Sequence, residues 1–475
     1  MEDRDLAFAS AWDQRELIAS KQVSPVELTQ LYFDRIEALD SQLNSYLTLT
    51  YDDAMKTAKS AEEAVVRGDK LGPLHGLPIS IKDTDITKGV RTTLGSLVFK
   101  DRVPDEDTIV VERVQSAGAI SLGKTNMPEF GLVGTCENLL GDDGRNPWNT
   151  DLTPGGSSGG AAAATAAGLC SMATGGDGGG SIRLPASFCG IYGIKPTQGR
   201  VPKYGGAQAL ALPNFFSQSG PLTRTVRDSA LFLQVMAGHD PRDPTTLREP
   251  PPDFIAAVDR DIKGLRIGWS PDYGFGAVEP EVVESASKAA QVFVELGCSV
   301  EDSGLVLDSP YDAYGPIFSA AAFANYGHLL ETHGDQLTHF ARFFIEEGAR
   351  VTGADYNKAL GLLDRLKMRF ADLFDTYDLL LSPTLSCTAL PVGGFPTEIA
   401  GRSDFPNRYF SFFPFTYPIN AVGHAAASIP CGFSSDGMPI GLHIVGRKGD
   451  EETVIAASAA FERARPWVQH RPPVS

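Results

Sequence analysis

Apolar and polar positions along the chain alternate between helical and strand periods. SPVELTQLYFDRIEALD, starting at residue 24, puts Ser24, Pro25 and Glu27 at the N-cap, N1 and N3 positions of a helix, then spaces Leu28, Leu31, Tyr32, Ile36 and Leu39 along one face. LPISIKD at 77–83 and GAISLGK at 118–124 are short, β-branched apolar runs that read as buried strands, the second preceded by the helical pattern TIVVERVQSA. GLRIGWS predicts another strand and EVVESASKAAQVFVELG a helix closed by Gly297. The proline-rich stretch at 241–254, PRDPTTLREPPPDF, reads as a linker or surface crossover. Between about 303 and 418 the pattern is mostly helical and aromatic, ending in FPNRYFSFFPFTYP, and reads as a cap or pocket wall. Strand-like segments return at AAASIPCGF and IGLHIVG. There is no internal repeat, and the alternation predicts an α/β sheet covered by helices.

Two glycine-rich stretches interrupt this pattern. GDGGGSIR at 176–183 is either a flexible tether or a rigid turn that brings main-chain N–H groups close to a ligand. Upstream, TPGGSSGGAAAATAAGL runs into an alanine-rich helix with small faces, and downstream, SIRLPASFCGIYGIKPTQGRVP has the composition of ordered, buried loops. Both neighbourhoods favour rigid turns. Such turns bring Ser157 or Ser158 near Ser181, with free N–H groups beside them, an arrangement that resembles an oxyanion hole next to a nucleophile. The stretch from Gly118 to Thr125 also spells a phosphate-binding loop, G-x-x-x-x-G-K-T. Its context is wrong for one, because the apolar strand lies between the glycines and Pro128 follows the lysine too soon for a helix.

GGSSGGAAAATAAG followed by GGDGGGSIRLPASFCGIYGIKPTQGRVP resembles the signature region of the amidase signature family of serine hydrolases. LHGLPISIKD, GKTNMPEFG, NPWNTDLTPGGSSGG, SGPLTRTVRD, YDLLLSPT and IPCGFSSDGMPIGLHIVGR resemble family segments in the same order, from about residue 8 to the C-terminus. The resemblance implies a single amidase domain over 1–475, built on one large mixed β-sheet sandwiched between helices. Within it, 1–60 is an N-terminal helical region, 61–240 the catalytic core, 241–302 a crossover and βα unit, 303–418 the variable pocket or cap region, and 419–475 C-terminal core strands and helix. It also implies a Ser-Ser-Lys catalytic set on Ser181, Ser157 and Lys82, with an oxyanion hole formed by the N–H groups of Gly178, Gly179, Gly180 and Ser181. In the family the second serine relays protons and follows a non-proline cis peptide, which falls here on Gly156. Lys82, at the end of an apolar strand, loses pKa by desolvation and serves as base.

Other residues near the signature read as supporting. Ser158 fits an N-cap of the alanine helix, and Asp177 and Arg183 fit a charge-assisted pin for the glycine loop. Cys189 reads as a small buried filler, and His328, His333 and His339 are spaced five and six apart, off any one helical face. In the family the segment before the C-terminal strands lines the substrate pockets. Here it holds Tyr311, Tyr314, Phe318, Phe323, Tyr326, Phe340, Phe343, Phe344, Phe410, Phe412, Phe413, Phe415 and Tyr417, most of them core. Phe318, Phe412, Phe413 and Phe415, with His424 where family members often carry an apolar residue and a proline, are the candidate pocket residues. They favour an apolar or aryl substrate over a highly charged one.

Composition narrows the partners. Of 475 residues, 41 are Lys or Arg and 59 Asp or Glu, a net charge of −18 that repels nucleic acid and anionic membranes. The start, MEDRDLAFAS, lacks a signal-peptide pattern, and six scattered cysteines without a C-x-x-C pair read as reduced thiols rather than disulfides or a zinc site. The expectation is a soluble, cytoplasmic amidohydrolase without metal or cofactor, a monomer or homodimer acting on small amides, carbamates or esters. Two alternatives stand beside it. One is the amidase subunit of a glutamyl-tRNA amidotransferase, although the variable region carries Phe-rich loops where that subunit has glycine- and tyrosine-rich segments. The other is a non-catalytic binding protein on the same scaffold.

Overall fold

The computed structural model describes residues 2–204, 206 and 215–475. Its frame is an eleven-stranded mixed sheet of β1 (Tyr46–Leu49), β2 (Pro78–Lys82), β3 (Ile120–Thr125), β4 (Met172–Asp177), β5 (Tyr192–Lys195), β6 (Gln218–Thr223), β7 (Arg266–Trp269), β8 (Ser299–Asp302), β9 (Leu379–Pro383), β10 (Ala426–Phe433) and β11 (Pro439–Gly446). The spatial order is β1-β3-β2-β4-β6-β5-β10-β11-β9-β7-β8. Strands β3, β2 and β4 run parallel, as do β9, β7 and β8. The pairings from β4 through β6, β5, β10 and β11 to β9 are antiparallel.

Side-chain alternation gives the sheet a core on each face. Leu379 and Leu381 of β9 enter one core and Leu380 the other, and Ala427 against Ala426 and Ile444 against Val445 divide in the same way. Strands buried on both faces carry continuous apolar runs, as LLLSP does. One core packs under the helices Pro25–Leu43, Gly159–Ala166, Val226–Met236, Pro280–Glu295 and Glu451–Ala464. The other is aromatic and packs under Pro310–Tyr326, His339–Arg350 and Gly353–Thr376.

The local signals correspond closely to these elements. Ser24 accepts from the Val26 N–H at 2.9 Å while the Glu27 carboxylate accepts from the Ser24 N–H at 3.1 Å, completing a capping box on Pro25–Leu43. From Ile120 to Thr125 the chain is β3, with Lys124 buried and donating to Thr87 Oγ1 at 2.9 Å and to the Asp85 carbonyl. The phosphate-loop spelling is therefore a strand. The crossover at 241–254 is mostly exposed, its Leu247 N–H bonding to the Gly199 carbonyl at 2.9 Å, and it ends where the short helix Phe254–Ala257 begins. The region 303–418 is not wholly a cap: β9 lies inside it and joins the main sheet between β11 and β7, because its three leucines need apolar surroundings on both faces. No helix among the described residues is long and apolar enough to cross a membrane.

Candidate active site

Every residue of β2 is buried, and its last is Lys82, 1% exposed. The Lys82 N–H donates to Thr174 Oγ1 at 2.9 Å, and that hydroxyl donates to Asp85 Oδ2 at 2.9 Å, which fixes the strand end. Lys82 Nζ lies 2.7 Å from Ser157 Oγ, 2.9 Å from Ser158 Oγ and 3.2 Å from the Gly176 carbonyl oxygen. Burial lowers its pKa to about 7 and the like charge of Lys203 adds to this, against Asp85 and Asp177. Three contacts suit both protonation states: an ammonium donates to all of them, while a neutral amine donates two bonds and accepts one from a hydroxyl.

Ser157 and Ser158 sit at the entrance to the helix Gly159–Ala166, every residue of which is buried. The Gly156–Ser157 peptide is cis, and a Cβ on Gly156 would overlap the Thr135 carbonyl oxygen, so only glycine fits. The capping role expected of Ser158 is not what the structure holds. Its side chain makes no capping bond, because the hydroxyl is taken by Lys82 and by the Gly176 N–H at 3.2 Å. The helix start is instead satisfied by the Gly160 N–H bonding to the Asn126 carbonyl at 3.0 Å.

Each carbonyl along the loop that leaves β4 has a donor. Asp177 O accepts from Asn420 Nδ2 at 2.9 Å, Gly178 O from the Tyr314 hydroxyl at 2.8 Å and Gly179 O from Thr416 Oγ1 at 2.7 Å. Gly180 O accepts from the Leu184 N–H at 2.7 Å and Ser181 O from the Ser158 N–H at 3.2 Å. Among the described residues, none of the N–H groups of Gly178, Gly179, Gly180 and Ser181 donates to another protein atom. In a trans peptide the N–H points opposite the carbonyl, so each anchored carbonyl turns the next N–H away from its anchor. Gly180 has φ +141°, and a Cβ there would overlap Thr416 Oγ1.

Asp177 and Arg183 form a wholly buried ion pair at 2.9 Å beneath this loop. Burial alone would raise the Asp177 pKa, but the Arg183 charge and hydrogen bonds, with Lys195 and Asn420, hold it well below the usual carboxylate range. Asp177 Oδ2 also accepts from the Ile182 N–H at 3.1 Å. Arg183 further donates to the Thr416 carbonyl at 3.1 Å, Asn420 Oδ1 at 2.5 Å and His443 Nε2 at 3.0 Å. Ser181 is half-buried, and among the described residues its hydroxyl has no hydrogen-bond partner, Ser157 included.

The pocket candidates divide. Phe318 is half-buried and stacks on Tyr314 at 5.4 Å, beside the glycine loop, whereas Phe413 is buried in the core, packed against Phe410 at 5.0 Å. Phe412 and Phe415 are wholly buried, one stacked on Phe188 and the other edge-on to Tyr273, so both fill the core instead of facing a cleft. His424 is also a core residue. Its Nδ1 meets the Gly446 carbonyl at 3.0 Å, its ring stacks on Phe374 at 4.8 Å, and burial lowers its pKa to about 4. Sequence reasoning did not assign roles to the anchors Thr416 and Asn420, nor to the Tyr314 hydroxyl. The available signal was two polar residues four apart inside the apolar run SFFPFTYPINAV, where an unpaired polar group would be costly.

Comparison with known proteins identifies the family. A family model described as Amidase matches residues 27–455. A subunit of the glutamyl-tRNA(Gln) amidotransferase of Moorella thermoacetica is 39% identical over 492 residues, covering 98% of this chain and 99% of the relative. An acylamidase of Rhodococcus erythropolis is 34% identical over 477 residues, covering 99% and 98%. The crystal structure of a bacterial aryl acylamidase of the amidase signature family superposes with a TM-score of 0.91 at 35% identity, covering 97% of each chain. With a family match across most of its length and the mixed sheet of its structural neighbours, this chain belongs to the amidase signature family and is an amide-hydrolysing enzyme.

Proposed function

We propose that this enzyme hydrolyses small amides bearing apolar or aryl groups through an acyl-enzyme on Ser181, and that carbamates and esters of similar shape are also substrates. It acts alone, as a cytoplasmic monomer or homodimer, on small molecules rather than nucleic acid or membranes. The observation that carries the reading is Lys82, buried with its pKa near 7 and 2.7 Å from Ser157, beside a loop whose carbonyls are anchored and whose N–H groups are open.

Ser181 Oγ attacks the substrate carbonyl as its proton passes to Ser157, which hands its own proton to neutral Lys82. The N–H groups of Gly178 to Ser181 take the negative charge that develops on the carbonyl oxygen. An amine anion is too basic to depart, so the proton on Lys82 returns through Ser157 to the leaving nitrogen as the C–N bond breaks. Water then attacks the Ser181 ester with the same groups acting as base and acid. The link between Ser157 and Ser181 closes when substrate occupies the site, since catalytic hydrogen bonds often tighten only in the complex. Because main-chain donors recognise only the carbonyl, specificity falls to the aromatic residues around Tyr314, Phe318 and Phe410.

A second reading, the amidase subunit of a glutamyl-tRNA amidotransferase, is favoured by the 39% identity to the amidotransferase subunit from Moorella thermoacetica. The purified chain assayed by itself on anilides, aliphatic amides, aryl carbamates and glutamine separates the two. Turnover of anilides or aryl carbamates by the isolated chain supports our reading. Inactivity of the isolated chain, with glutaminase activity appearing only when partner subunits are added, overturns it.

A further inference from the structure

Tyr314 stands on the helix Pro310–Tyr326, outside the glycine-rich core, and is wholly buried. Its ring is held by Phe216 at 4.5 Å, Phe318 at 5.4 Å, Tyr417 at 5.4 Å and Phe410 at 5.5 Å. With the ring so confined, the hydroxyl has one position, 2.8 Å from the Gly178 carbonyl oxygen. Burial keeps the phenol protonated, so it donates.

Three consecutive glycines give a backbone in which whole peptide planes rotate at little steric cost. Open N–H groups therefore point the right way only if something else fixes each plane. The Gly180 carbonyl is fixed by the helix that follows it, through the Leu184 N–H. The carbonyls of Gly178 and Gly179 have no backbone donor among the described residues and are held by side chains, Tyr314 and Thr416. We propose that Tyr314 is a positioning residue of the oxyanion hole: by holding the Gly178 carbonyl it sets the Gly178–Gly179 peptide plane and aims the Gly179 N–H at the acyl oxygen. The helix Pro310–Tyr326 thus reaches the chemistry through one hydroxyl, in addition to walling the site with its rings. This rests on the reading of the glycine N–H groups as the oxyanion hole.

Tyr314→Phe removes the hydroxyl and keeps the ring. Turnover of a p-nitroanilide and of the matching p-nitrophenyl ester, and inhibition by a boronic acid of the same acyl shape that forms a tetrahedral adduct on Ser181, are compared with wild type. The variant's kcat should fall about tenfold on both substrates, less than the loss of a whole oxyanion donor. KM should stay within twofold, boronate affinity should weaken by the same factor as kcat, and the pH midpoint should not move. With 3-fluorotyrosine at position 314, kcat should remain at the wild-type level. Unchanged kcat and boronate affinity in Tyr314→Phe would overturn the inference, as would a raised KM at constant kcat, which would make the tyrosine a substrate contact. A 3-fluorotyrosine variant as slow as Tyr314→Phe would also overturn it. Failure of the underlying reading looks different: the boronate would not inhibit the wild-type enzyme at all.

Discussion

The glycine-rich segment of residues 155–183 and the helical segment of residues 310–376 flank the same site and are built on opposite rules. In the first, the buried charges Asp177 and Arg183 are paired, Lys82 of β2 is hydrogen-bonded to its serines, and each carbonyl from Asp177 to Ser181 has a named donor. In the second, the interior is apolar: Tyr314, Phe318 and Phe344 meet, together with Phe410 from further along the chain, as stacked or edge-on rings about 5 to 6 Å apart. Catalysis needs backbone and charge fixed to within fractions of an ångström, which only close approach and specific hydrogen bonds deliver. Selecting an apolar group needs buried area and shape, which many ring arrangements supply. Substitutions in the glycine segment should therefore act on rate, and those of the rings in the helical segment on selectivity or stability, with the Tyr314 hydroxyl acting on rate because it bonds to the glycine loop.

The sharpest break falls on Lys82. Lys82→Ala should slow amide hydrolysis by about 10²–10⁴-fold and slow a p-nitrophenyl ester much less, because the activated ester departs without a proton. In the wild type only neutral Lys82 accepts a proton, so kcat/KM should rise with pH and level off above about 7. The mutant should lose that plateau and follow hydroxide. Equal slowing of amide and ester, in a folded protein, would confine Lys82 to activating the nucleophile. Next is Gly180→Ala, whose Cβ meets Thr416 Oγ1 and displaces the loop. It should cost about 10²–10³ in kcat, the order of one lost oxyanion donor, with cooperative unfolding retained.

Ser158→Ala is milder and discriminates between two roles. If the hydroxyl only capped a helix, stability would drop and rate would not. Placed 2.9 Å from Lys82, it should instead lower kcat about tenfold and move the pH midpoint down, since an acceptor that favours the ammonium is lost. The smallest effects on turnover come from the rings. Phe412→Ala should cost about 3–5 kcal/mol in chemical denaturation and leave substrate ranking unchanged, as expected of a fully buried core ring. Half-buried Phe318→Ala should cost less stability and shift the ratio of anilide to acetamide turnover.

The two regions were also unequally legible. β2, β3, the helix Pro25–Leu43 with its capping box and the alanine helix followed from local pattern, because each carries its own periodicity or cap. Lys82, Ser157 and Ser181 were nameable from their motifs, and the structure adds the 2.7 Å contact between the first two. The role of Ser158 was missed because a serine before a helix looks the same whether its hydroxyl turns to the backbone or to a lysine 76 positions away. Thr416 and Asn420 were missed for a related reason: their partners lie more than 230 residues upstream, a distance no local pattern spans. Among the aromatics, composition could not separate Phe318 from Phe412 or Phe415, nor reveal His424 as a core residue, since burial is decided by which helix packs over which strand.

In the proposed reaction Ser181, not either serine of the other glycine turn, carries the acyl group. Incubating the enzyme with a fluorophosphonate and locating the adduct by peptide mass spectrometry tests it most directly. One label per chain is expected, on Ser181, lost together with amide hydrolysis in Ser181→Ala. A label on Ser157 or Ser158, or labelling that survives in Ser181→Ala, would contradict it.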